Sequence, residues 1–175
     1  MNEPRSNLLP DKWPVRVTVI SRQQDECVEQ VTEGDLYRKG SSFYLRYTEE
    51  APNPAQVKRR SSSSGQQSDQ APITTVLVKL GQDEWKLTRT GAVKSEMTFS
   101  LHKPCVGRYT SKVMSFLLET RTHRMKREDK SILLDNGEHY DIPIHVRWSY
   151  DLYIEEQCTG QFDIQILLEP IIVGG

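Results

Sequence analysis

The chain has 175 residues, 36% of them hydrophobic and 27% charged, with a mean hydropathy of −0.61. Its 23 Lys and Arg nearly cancel 24 Asp and Glu, for a net charge of −1. No apolar run approaches the roughly 18–20 residues of a membrane-spanning helix, and no excess of cations marks a nucleic-acid binder working by bulk charge.

The opening stretch, MNEPRSNLLPDKWP, has an early acid and three prolines but no apolar core, so it is not expected to act as a secretory signal. Residues 1–13 are expected to form a flexible leader ahead of a single domain spanning 14–170. From there one pattern recurs, with an apolar residue at every second position. Val15, Val17 and Val19 begin it, followed by Phe43, Leu45 and Tyr47. The segment 51–72 (APNPAQVKRRSSSSGQQSDQAP) breaks the pattern. It is rich in Ser, Gln and Pro, and Val57 is its only large aliphatic. Such a composition cannot bury enough surface to offset the entropy of ordering, so a disordered inserted loop is expected.

The alternation resumes with Val76, Val78 and Leu80, then Trp85 and Leu87, then Val93, Met97, Phe99 and Leu101. Met114, Phe116 and Leu118 lead into Thr120 and Thr122. Ile144 to Ile154 and Phe162 to Leu168 complete the set. Period two marks strands with one face on a core and the other in water. Turns are expected at Gly40-Ser41, Gly81-Gln82-Asp83, Thr90-Gly91, Asp135-Asn136-Gly137 and Thr159-Gly160. Gly34 is expected to mark a bulge in a less regular stretch, and Pro143 a strand start or edge. Eight to ten long antiparallel strands without crossover helices predict an all-β, up-and-down barrel, whose closure removes exposed sheet edges. A two-sheet sandwich is the alternative.

The order of these pieces resembles the YwiB-like family of small bacterial proteins of unknown function. The matching stretches are Tyr47-Thr48-Glu49-Glu50, Arg89 to Val93 leading to Met97-Thr98-Phe99, and Tyr109-Thr110. The strand Trp148-Ser149-Tyr150-Asp151-Leu152 and the closing Gly160 to Ile166 complete them. Together they cover nearly all of residues 15–169. The resemblance implies a calycin-type, lipocalin-like β-barrel and brings no established activity. The 51–72 insertion is longer than the family's pattern, and TSKVMSF after Tyr109 lacks the expected glycine, which bears on the local turn.

Cys27, Cys105 and Cys158 form no C-x-x-C pair, so no disulfide framework or zinc ribbon is indicated. They read as reduced thiols, and a cytoplasmic location is expected. His102, His123, His139 and His145 form no H-x-x-x-H or H-E-x-x-H. His123 and His145 fall on polar faces. No catalytic motif and no metal or cofactor site is found, so an enzyme is not expected. The basic stretch from Arg121 to Lys130 reads as a solvated strand end, since Glu128 and Asp129 dilute it and no aromatic residues interleave.

Glu49 continues the Phe43/Leu45/Tyr47 face and Arg89 the Trp85/Leu87 face, so both point into a barrel. With one strand between them they lie near the same rim, roughly 10 Å apart by two strand spacings. The pair either closes the barrel end or forms a ligand handle, with Arg89 taking a carboxylate or phosphate beside Tyr47. Tyr47, Glu49, Arg89 and Tyr150 are therefore the candidate binding residues. Three functions follow in order: a cytosolic barrel holding a small apolar or amphipathic ligand, a protein-interaction module with a filled core, and an enzyme built on Arg89, Glu49 and Tyr150. Phe43, Trp85, Met97, Phe99, Phe116, Trp148 and Phe162 would line a cavity or fill the barrel.

Overall fold

A computed structural model describes residues 12–50, 73–133 and 137–171. Most of the expected leader and the whole 51–72 insertion lie outside the described residues. Ten strands follow one another: β1 Lys12–Gln23, β2 Glu26–Lys39, β3 Ser42–Glu50, β4 Ile73–Leu80, β5 Glu84–Thr90, β6 Lys94–Ser100, β7 Cys105–Thr110, β8 Ser115–Leu133, β9 His139–Ile154 and β10 Gln157–Pro170. Each pairs antiparallel with the next, and β1 pairs with β10, so the sheet closes into a barrel rather than splitting into a sandwich. Lys12 and Trp13, expected in the leader, belong to β1 and pair with Tyr37 and Leu36.

The alternation works as read. Val15, Val17, Leu45, Val76, Val78, Phe99, Trp148 and Ile166 are each no more than 2% exposed. Most of their strand neighbours are partly or fully exposed. The lower part of the barrel is solid, because Trp85 and Phe99 both pack on Trp148, at 5.8 and 5.5 Å between ring centroids. Such aromatic contacts add to the stabilisation that area burial already supplies.

Four local expectations change. Thr159-Gly160 is not a turn but lies inside β10, at a register shift between Cys158 and Gly160. The turn is formed by Glu155-Glu156, with φ of 51° and 64°, so two acidic residues occupy the left-handed conformation usually left to glycine or asparagine. Gly34 marks no bulge. A Cβ there would stand 2.5 Å from the Arg46 carbonyl oxygen, so the glycine is needed for the close approach of β2 to β3. Pro143 sits within β9, opposite a register shift between Glu128 and Asp129. Leu101 and Met114, expected on the inner face, are half exposed and lie in turns. Around Met114 the missing glycine is replaced by Ser111, whose backbone N–H donates to the Met114 carbonyl at 2.8 Å and whose Oγ accepts from the amides of Val113 and Met114.

Candidate functional site

The barrel is open at the end where β3 finishes and β6 begins. A cavity of about 710 Å³ descends from that rim. Its floor is Leu87, Met97, Trp148 and Ile166, and Val19 and Ile164 continue the apolar wall. Tyr47, Glu49, Arg89 and Tyr150 all line it. Four residues chosen from three separate strand faces thus converge on one space.

Their geometry follows from register. Tyr47 pairs with Val76, which pairs with Arg89, while Glu49 pairs with Thr74 one step nearer the rim. Arg89 therefore reaches diagonally over β4 to Glu49. The Arg89 Nε donates to Glu49 Oε2 at 3.2 Å, and Nη2 donates to Oε1 at 3.5 Å. The two side chains are 31% and 22% exposed, and the gap of two strand spacings is bridged directly. The second amino group, Nη1, has no partner among the described residues. With its charge balanced by Glu49, this rim suits a polar, uncharged head better than the carboxylate or phosphate that Arg89 alone would attract.

Burial sets the two phenols. It pushes the Tyr150 hydroxyl up to about 12, with Arg89 pulling the other way. Burial, then the Glu49 charge, raises Tyr47 further still. Both remain neutral donors across the physiological range. A tyrosine raised in the folded state contributes stability that is fully present below the unfolded value near 10. It is lost as pH climbs through the folded value. For Tyr150 that loss amounts to about 2–3 kcal/mol between pH 10 and 12. Tyr150→Phe is therefore expected to flatten the alkaline fall in unfolding free energy, measured by urea titration from pH 9 to 12; unchanged steepness would contradict the assigned burial.

The β2 side of the mouth was not legible in the sequence. Val28, Gln30 and Thr32 line the cavity because the β2–β3 ladder stops at Gly34 and Tyr47, leaving the two strands apart above that point. Gln30 Nε2 reaches across to the Thr48 carbonyl at 3.5 Å. Gly34, whose missing Cβ allows the close approach to Arg46, is the last paired position before the strands part. Of the seven residues expected to line a cavity, Met97 and Trp148 do so, while Trp85 and Phe99 fill the floor beneath. Phe162 stacks on Tyr150 at 5.3 Å, and Phe116 stacks on Tyr109 at 4.8 Å. Phe43 lies at the other end, where Arg127 covers its ring and forks onto Asp129 at 2.8 and 2.9 Å.

The basic stretch is thus divided among three settings. Arg127 pairs with Asp129, Arg121 pairs with Glu119 over the Tyr153 ring, and Arg124 faces outward. His123 Nε2 meets Asp151 at 2.8 Å, and His145 Nδ1 lies 3.9 Å from Glu128. Among the described residues no group of three His, Cys, Asp or Glu is placed to hold a metal ion, and no helix is long and apolar enough to cross a membrane.

A closed, ten-stranded antiparallel barrel with a cavity opening at one rim defines a lipocalin- or calycin-like architecture. The chain belongs to the family described as Domain of unknown function (DUF1934), whose model matches residues 15–166. It is similar to the crystal structure of the YwiB protein from Bacillus subtilis, with 21% identity and a TM-score of 0.64 over 97% of this chain and 100% of that one. That likeness bears on the fold. No curated protein matches.

Proposed function

We propose that this protein is a cytosolic, non-enzymatic barrel that holds one small amphipathic molecule. The observation that carries the reading is the cavity of about 710 Å³, apolar at its floor and ringed near the mouth by Tyr47, Glu49, Arg89 and Tyr150. Ligand sites combine apolar walls with a few convergent polar groups in this way. The apolar body would rest on Leu87, Met97 and Trp148, and the head would meet Arg89 Nη1 and the two hydroxyls. Both phenols titrate far from neutral pH and Arg89 engages the neighbouring carboxylate, which supports holding rather than turnover. Three free cysteines, two of them exposed, support the cytosolic assignment.

Trp148 supplies the test, because a ligand on the floor alters its emission. Addition of N-phenyl-1-naphthylamine, an uncharged arene with one N–H, is expected to quench tryptophan fluorescence saturably at 1:1 stoichiometry. Native mass spectrometry of gently purified protein should show a co-purifying mass that the probe displaces. No quenching and no retained mass would remove this reading. A second reading, a protein-interaction module, is favoured by Val106, Val113, Met114 and Leu117, each more than half exposed on or beside the β7–β8 hairpin.

A further inference from the structure

The outer wall carries a second concavity, unconnected with the cavity reading. Register sets Arg22, Asp163, Ser149 and Arg124 side by side on β1, β10, β9 and β8. Arg147 lies two residues from Ser149 on the same face of β9. These residues, with Phe162 at the edge, line a depression of about 480 Å³ whose floor is low because a serine stands among arginines.

Three features set this patch apart from an ordinary charged wall. The first is a β-bulge. Thr120 and Thr122 pair with the inward Leu152 and Tyr150, so uninterrupted alternation would aim Arg124 into the barrel; the shift at His123 turns it outward to pair with Ser149. The second is imbalance of charge. Asp163 is the one acid lining the depression and it binds Arg147 Nη2 at 3.2 Å, while Arg22 and Arg124 have no acid partner among the described residues. The nearby Asp151 is taken by His123, and Lys126, opposite Arg147, adds a further cation. The third is unsatisfied polarity, since Arg147 Nε and Asp163 Oδ1 are buried without a hydrogen-bond partner. Leaving a buried donor and acceptor unmade costs stability.

We propose that this depression binds the phosphoryl group of a small molecule. Arg22 and Arg124 would fork onto its oxygens, with the Ser149 hydroxyl as a further donor. Asp163, held by Arg147 and buried at Oδ1, stays beneath the site as the counter-ion of Arg147.

The test is a titration of the ¹⁵N-labelled full chain at constant ionic strength with inorganic phosphate and phenyl phosphate. Saturable shifts are expected at the Ser149, Gln161 and Asp163 amides and at the Arg22 and Arg124 Nε–H. Arg22→Gln and Arg124→Gln should each weaken phosphate binding about tenfold, whereas Arg46→Gln, exposed on β3, should change it less than about twofold. Tighter binding of phenyl phosphate identifies an ester as the occupant, and equal binding identifies free phosphate. Non-saturating shifts spread over the surface, or equal losses in all three variants, would each overturn the proposal. Arg124→Gln should leave quenching by N-phenyl-1-naphthylamine intact, so failure here is separable from failure of the cavity reading.

Discussion

Trp148→Ala is expected to lower the unfolding free energy by about 3–5 kcal/mol, measured by urea denaturation. Trp148 is 1% exposed and is the residue on which Trp85 and Phe99 converge. Removing its ring deletes aromatic contacts from both and leaves a void between the solid lower barrel and the cavity above. The neighbours are held on separate strands and cannot collapse far into that space. Trp148→Phe should cost much less, because the indole Nε1 is buried without a hydrogen-bond partner and the phenyl ring gives up no bond. A loss below about 1 kcal/mol for the alanine variant, the size of an ordinary surface change, would show that the barrel floor lies elsewhere.

Arg89→Ala is expected to weaken binding of a cavity probe about tenfold and to destabilise the fold by about 2 kcal/mol. The stability figure lies between the values for exposed and buried pairs, as the partial exposure of both side chains requires. Most of that loss comes from leaving Glu49 without a partner at the rim. The double variant Arg89→Ala/Glu49→Gln should therefore recover most of the stability while probe affinity stays low. A double variant that restores both, or a single variant that loses stability while retaining full affinity, would make the pair a closure of the barrel end with no role in binding. Fluorescence titration and thermal denaturation of the same samples separate these outcomes.

The site was legible to the extent that it rests on alternation. Tyr47 and Glu49 share a face because they are two residues apart, and the same rule placed Arg89 with Leu87 and Tyr150 with Trp148. Counting strands then brought Glu49 and Arg89 to one rim. Alternation carries no information about where a ladder stops, so the parting of β2 from β3 above Gly34, and with it Val28, Gln30 and Thr32, was not visible. It is equally silent about a bulge: one extra residue at His123 reverses which face Arg124 occupies, and no residue type announces it. The turn at Glu155-Glu156 was hidden for a related reason. Gly160 nearby is the expected turn former, yet cross-strand pairing across β9 and β10 places the reversal earlier and holds two acidic residues in left-handed backbone.

By itself the sequence determined the fold class, the inward set of apolar residues and the identity of the rim pair, because each depends only on the two-residue repeat of an extended chain and on strand order. Tertiary structure decided how far the barrel is filled, where its mouth lies, and that Glu49 already balances Arg89. It also decided that three arginines scattered over three strands share one depression on the outer wall. Those outcomes depend on register and on the ends of ladders. Both are set by packing between strands distant in the chain, which local periodicity does not encode.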